Sequence, residues 1–325
     1  MVGTTRGRPE KGWRRSCELR RRFAHRLDGP SAKIEVAFMT LGNSQALQQG
    51  NLDPRVVEGF GQEWAAYDQS AMPAEEYAHR FHTYFGIFPF DQLPANAEGF
   101  DLGCGSGRWA VGVAGKVGTL HCVDPSAQAL EVARRRLQPF PSTRFHLASV
   151  DRIPLPDNSQ DFGYSLGVLH HIPDTEAGLR ECVRKLKPGA PFLVYLYYAF
   201  DNKPAWFRAI WKASDVLRRG TCRLPFQLRK AVSVAIAAGI YWPMTRIALA
   251  AEKMGANVNA FPLSPYRHYS FYSMRTDALD RFGTRLEKRF TRAEVDRMMR
   301  DAGLTDIVFS DEVPFWTACG RKALS

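Results

Sequence analysis

GFDLGCGSGRWA, residues Gly99–Ala110, holds four glycines in its first nine positions, with an acid ahead of the run and an arginine behind it. A short apolar stretch leads into Asp101, and a helical pattern follows to about Gly115. Strand, glycine loop and helix start together make a nucleotide-type site. Glycine lets a ligand approach the backbone, and the first turn of a helix offers free N–H groups. Glycines at 103, 105 and 107 give D-x-G-x-G-x-G, and Arg108 stands where a dinucleotide loop would continue its own spacing. An acid directly before the loop repels a pyrophosphate but suits an ammonium group. A second acid, Asp124, ends the next strand, TLHCVD, where its carboxylate can accept both hydroxyls of a ribose.

Outward from this loop the pattern alternates. SAQALEVARRRL is a helix that Ser126 can cap, and TRFHLAS and DFGYSLG read as strands. PDTEAGLRECVRKLKPG is a helix capped by Asp174, with Leu179, Cys182, Val183 and Leu186 on one face and Pro188-Gly189 at its end. PFLVYLYY is a nearly continuous apolar run, as in a strand buried on both faces. Near the C-terminus TRAEVDRMMRDAG carries a Thr291/Glu294 capping box and a stripe of Val295, Met298, Met299 and Ala302. TDIVFS and PFWTACGR follow as two strands expected to pair antiparallel. The fold class is therefore α/β: a mostly parallel seven-stranded sheet, Rossmann-like, with an antiparallel last strand and a helical insertion capping the site.

Four blocks in order, FDLGCGSG, CVDPS, IPLPDNSQDFGYSLGVLHHIPD and LKPGAPFLVYLYY, resemble the class I S-adenosylmethionine-dependent methyltransferases, more narrowly the quinone-biosynthesis and natural-product type. The resemblance covers about residues 95–200 and 284–325. It implies S-adenosyl-L-methionine as cofactor. Asp101 and the loop Gly103, Cys104, Gly105 and Gly107 would hold its methionine end. Asp124 would hold the ribose, with Pro125 and Ser126 beside the adenine. Ser149 and Val150 would border the adenine rim; Ser149 stands where many relatives have Asp, so this contact would lack charge. Ser165 and Leu166 end the fourth strand near the expected sulfonium. Tyr67 resembles a tyrosine that some relatives place over the methionine carboxylate; the alternative is a core aromatic.

His170 and His171 are adjacent and must point in different directions. One is expected to pack and one, preferably His171, to serve as a base at the site mouth. His79 and His82 have i, i+3 spacing but no third ligand, so no metal is expected.

The 325 residues suffice for one large domain with an insertion, or for two domains. The organisation reads as a basic arm at 1–38, expected to be disordered; a helical segment at 39–94; a core at 95–199 and 284–325; and a basic helical insertion at 200–283. Six cysteines without a C-x-x-C pair read as reduced intracellular thiols, and the basic N-terminus lacks the apolar stretch of a signal peptide, so a cytoplasmic location is expected. The run Ala231–Met244 is too short to span a bilayer.

Of the net charge of +11, residues 1–28 carry +6 and residues 200–290 carry +10, so the rest is acidic. Two basic pieces suggest an anionic partner or a peripheral contact with an anionic membrane; the bland alternative is a solvated arm and arginine-rich helix faces. The insertion far exceeds an ordinary connection and should cap the active site. Its last part gathers Arg267, Tyr269, Tyr272 and Arg275, expected to bind an anionic group on a small or lipid-linked acceptor. The expected function is methyl transfer to that acceptor. The charge leaves a nucleic-acid methyltransferase as an alternative, against which no [DN]-P-P-[YF] or Pro-Cys follows the fourth strand. A cofactor-binding protein without turnover is a third reading.

Overall fold

A computed structural model describes residues 50–324. The basic arm at 1–38 and the first part of the 39–94 segment lie outside the described residues. Two helices come first, α1 (Pro54–Ala66) and α2 (Ala74–Phe85). The core then alternates: β1 (Glu98–Leu102), α3 (Ala110–Ala114), β2 (Thr119–Asp124), α4 (Ala127–Arg136), β3 (Thr143–Leu147), β4 (Phe162–Leu166), α5 (Thr175–Lys185) and β5 (Pro191–Tyr195). The insertion supplies α6 (Ala205–Thr221), α7 (Phe226–Ile236), a π turn at Ala237–Tyr241, α8 (Trp242–Lys253) and α9 (Phe271–Gly283). α10 (Arg292–Asp301), β6 (Leu304–Phe309) and β7 (Thr317–Lys322) close the chain.

The seven strands run in the order β3-β2-β1-β4-β5-β7-β6, and only β7 is antiparallel to its neighbours. This is the Rossmann-like sheet that the alternation predicted. The chain leaves β1 toward β2 and returns beyond it to β4, so the crevice lies at the C-terminal ends of β1 and β4. Every residue of β4 and β5 is buried, which is why their sequences lack alternation. The caps lie where the sequence puts them. Ser126 Oγ accepts from Ala129 N, Asp174 Oδ1 accepts from Ala177 N at 2.9 Å, and Thr291 and Glu294 make both bonds of a capping box.

In the insertion, α7, the π turn and α8 run as one helical segment from Phe226 to Lys253, longer than the apolar run Ala231–Met244. Pro243 would ordinarily break it, since it lacks an N–H and its ring crowds the carbonyl four residues back. The widened π turn just before it relieves that conflict. In α6, Phe207 and Trp211 turn inward to Phe200, with ring centroids at 5.3 and 5.7 Å, whereas Ile210 and Leu217 face outward. Among the described residues five cysteines are buried and free.

Candidate active site

The C-terminal ends of β1, β2, β4 and β5 open into a cavity of about 1350 Å³ that continues beneath the insertion. Gly103 at the start of the glycine loop and Arg108 and Trp109 just after it line the cavity. Gly103 and Gly105 have φ of +74° and +53°, a region that side-chain-bearing residues rarely adopt. A Cβ on Gly105 would come within 2.8 Å of Trp64 Nε1. The loop is therefore stripped of side chains beneath an aromatic cover from α1: Phe60 stacks on Trp64 at 6.4 Å and touches the His171 ring at 4.9 Å.

Asp124, Pro125, Ser126, Ser149, Val150, Leu166 and Gly103 line the cavity. Asp124 accepts from Gly105 N at 2.9 Å and Ser126 N at 2.8 Å, which aims its carboxylate along the loop. Burial nevertheless raises its pKa to about 6. Asp101, Cys104, Gly105, Gly107 and Ser165 do not line the cavity. Asp101 is buried beneath the loop with Oδ2 unpartnered, and burial pushes its carboxyl up to about 8. Ser165 Oγ donates to Leu102 O at 3.1 Å and ties the tips of β1 and β4 together.

The histidine pair divides as its adjacency requires. His170 is fully buried, its ring tilted against that of Tyr197 with centroids 3.8 Å apart and neither nitrogen hydrogen-bonded, and burial drives its pKa down. His171 lines the cavity. Its Nδ1 lies 2.6 Å from Leu286 O, and a carbonyl only accepts, so Nδ1 carries the proton. Nε2 then keeps its lone pair and has no partner. Burial lowers the His171 pKa, and Asp280 opposes that.

The four insert residues expected to act together are split. Arg267 and Tyr269 line the cavity, but Arg267 spends its charge on Glu252, 2.6 Å away. Tyr272 and Arg275 pack instead with Tyr67: the Arg275 guanidinium covers the Tyr67 ring at 4.9 Å and Lys230 lies 5.0 Å from it. Tyr67, Tyr272 and Arg275 are not among the cavity-lining residues, and Tyr67 is the buried aromatic of the alternative reading.

Arg108, Arg80, Asp277, Asp280 and Arg289 line the cavity and escaped the sequence reading. Arg108 alone carried a signal, as the residue closing the glycine loop. Its guanidinium stacks over Trp109 at 4.4 Å, with Nε unpartnered. Arg80 pairs with Asp277 at 3.1 Å and leaves Nη1 without a hydrogen bond. Arg289 pairs with Glu287 at 2.8 Å and lies over Trp211 at 4.7 Å. Asp280 accepts from Tyr197 Oη at 2.5 Å. These groups sit far apart in sequence, and only the packing of insertion on core assembles them. Among the described residues no group of three metal-ligating side chains occurs.

Residues 100–194 match the family model described as "Methyltransferase domain". The chain is 36% identical over 149 residues to an uncharacterized 37.1 kDa protein in transposon TN4556 of Streptomyces fradiae, covering 45% of this chain and 42% of that one. It is 34% identical over 100 residues to phosphoethanolamine N-methyltransferase 2 of Caenorhabditis elegans, covering 30% and 23%. It is 32% identical over 126 residues to a ubiquinone biosynthesis O-methyltransferase of Sodalis glossinidius, covering 37% and 50%. The chain thus spans half or less of the length of each of these relatives.

Proposed function

We propose, from the premise that residues 100–194 are a class I S-adenosylmethionine-dependent methyltransferase domain, that this protein methylates a small or lipid-linked acceptor held in the cavity beneath its insertion. The observation that carries the reading is a matched set of unsatisfied groups at one glycine loop. Asp101 Oδ2, beneath the loop, and Nε of the cation Arg108, on the cavity wall, are buried polar atoms without a hydrogen-bond partner. They suit the ammonium and carboxylate of an amino acid, and Asp124 at the tip of β2 suits a ribose diol. When bound, S-adenosylmethionine supplies an electrophilic methyl group on a sulfonium.

The chain's own residues do the rest. Asp101, Arg108 and Asp124 hold and orient, and Phe60 and Trp64 of α1 exclude water over the loop. His171 Nε2 takes the acceptor's proton, while Leu286 O fixes the ring and its tautomer. Any anionic part of the acceptor would meet Arg80 and Arg289, which line the cavity but are paired with Asp277 and Glu287 as Arg267 is with Glu252, whereas Arg275 lies on Tyr67 away from the cavity. Stacking on Tyr269 and Trp211 keeps the Arg80 and Arg289 guanidiniums in place. The apolar part lies along Phe207, Trp211, Ile240 and Met244. The protein works in the cytoplasm on this reading.

Calorimetry with S-adenosylhomocysteine tests it. Asp124→Ala should weaken binding by about 1–3 kcal/mol through loss of a charged acceptor. Gly105→Val should abolish measurable binding, because its side chain enters the space under Trp64. Wild-type affinity in both variants, or no binding by the wild type, overturns the assignment.

A further inference from the structure

Thirteen large apolar side chains are exposed among the described residues, and nine of them lie between Trp206 and Met254 on the insertion. They are ordered. Trp206, Ile210 and Leu217 follow the helical repeat down one face of α6, and Ile240 and Ile247 do so across the π turn and α8. Ile210, Leu217 and Ile240 are each about half exposed and also line the cavity, so the outer apolar face is continuous with the cavity wall. A patch of this kind on a soluble domain marks an interaction surface.

The charges around it are predominantly basic. Arg208, Lys212, Arg219 and Arg223 of α6 and its end are exposed, as is Lys253 at the end of α8. The acids on these helices are Asp215 and Glu252. Asp215 is held by Arg218 and Arg219, and Glu252 by Arg267. Trp206 and Trp242, both exposed, are side chains that favour the headgroup level of a bilayer.

We propose that this face docks on the surface of an anionic bilayer, setting the open side of the cavity against the lipid so that an acceptor's apolar tail enters without crossing water. A second copy fits less well, since it would bring one +10 segment against another. The helix Phe226–Lys253 has the length and composition to cross a membrane, but it lies along the domain instead. Ala237, Tyr241 and Ala248 are buried, the first two in one cluster with Met274, Ala278 and Phe282 of α9. The arrangement is that of an amphipathic segment lying in the interface plane. The docking stands apart from methyl transfer, because vesicle binding without cofactor reads it alone.

The test is co-sedimentation of the full chain with vesicles of phosphatidylcholine alone and of phosphatidylcholine with about one-third phosphatidylglycerol. The wild type should bind the anionic vesicles and lose binding in high salt. The double variant Trp206→Glu/Ile247→Glu alters two exposed side chains that do not line the cavity. It should bind about tenfold more weakly or worse, with unchanged melting and unchanged cofactor calorimetry. If the glutamates disturb folding, Trp206→Ser/Ile247→Ser gives the same reading without added charge. No binding by the wild type overturns the proposal, and so does equal binding by a folded variant, which would assign the contact to another basic segment. A wild-type dimer in light scattering that the variant splits also overturns it, in favour of a second copy.

Discussion

Val194 on β5 is fully buried, and Val216 on α6 is 71% exposed. The same side chain has opposite fates in two regions of one molecule, and the regions differ as the residues do. In the sheet, apolar pattern and burial agree. β5 reads as a buried strand and is one, and the stripe of α5, with Leu179, Cys182 and Val183, disappears into the core. In the insertion they part company. α6 has an apolar face of which only part, Phe207 and Trp211, turns inward. A sheet between two helical layers satisfies its own hydrophobicity, whereas a helical insertion anchored at its two ends need not. Apolar surface left over there points outward, to something else.

The sharpest way to break the contrast is at His171, the proposed base on the core side of the cavity. His171→Gln keeps a polar side chain but loses the unpartnered Nε2 lone pair of a ring that lines the cavity. On the proposed reading, in which His171 takes the acceptor's proton, turnover should fall by about 10²–10⁴ while S-adenosylhomocysteine still binds. Burial lowers its pKa, so the base is already neutral at pH 7, and the acid limb of the rate profile should lie below pH 6.5. Equal loss of turnover and cofactor binding would instead make His171 a support for the site's shape.

A smaller effect sharpens the core side alone. Asp101 holds its proton in the free chain at pH 7, its pKa being raised to about 8. On the proposed reading the cofactor's ammonium favours the carboxylate, so binding would expel that proton. Affinity should therefore rise with pH between 6 and 8, by at most about tenfold per unit, and calorimetric enthalpies should differ between buffers of different ionisation heat. The same shift works against the free chain. The folded pKa exceeds the unfolded one, so the folded state binds more protons and its stability falls as pH rises from about 4 through 8. Asp101→Asn should flatten both dependences. A buffer-independent enthalpy in the wild type would remove Asp101 from the ammonium contact.

The sheet was legible because its signals are local. A glycine loop, an acid at a strand tip and a cap three residues ahead of its N–H are each written within a few positions. Asp124, Pro125, Ser126, Ser149 and His171 could be placed from such blocks, and they line one cavity. The insertion was legible in composition but not in contacts. Four residues within nine positions, Arg267 to Arg275, look like one cluster. Yet a 3-10 turn at Ser264–His268 and the start of α9 at Phe271 turn the first pair toward Glu252 and the cavity, and the second toward Tyr67. No spacing rule foretells that a buried Glu287 will bridge Arg281 and Arg289, or that Asp277 will meet Arg80 from a helix nearly two hundred residues away. Those pairs are decided by packing.

The smallest expected effect bears most directly on why the two regions differ. Val216→Lys should change unfolding free energy by less than about 0.5 kcal/mol, because no buried contact is lost. Lysine is also a slightly better helix former than valine, which offsets what little apolar contact the side chain makes. At Val194, between β4 and β7 in the sheet, the same substitution would bury an unpaired ammonium, and no folded chain is expected. A side chain that can be replaced at no cost in stability is held in place by something other than folding. If Val216→Lys instead lowered the melting temperature by several degrees, α6 would be packed against another part of this chain. The insertion's outer face would then be an ordinary core surface, and the contrast with the sheet would disappear. Thermal and urea melts of the single variant distinguish the two outcomes, provided the denaturant slope is unchanged.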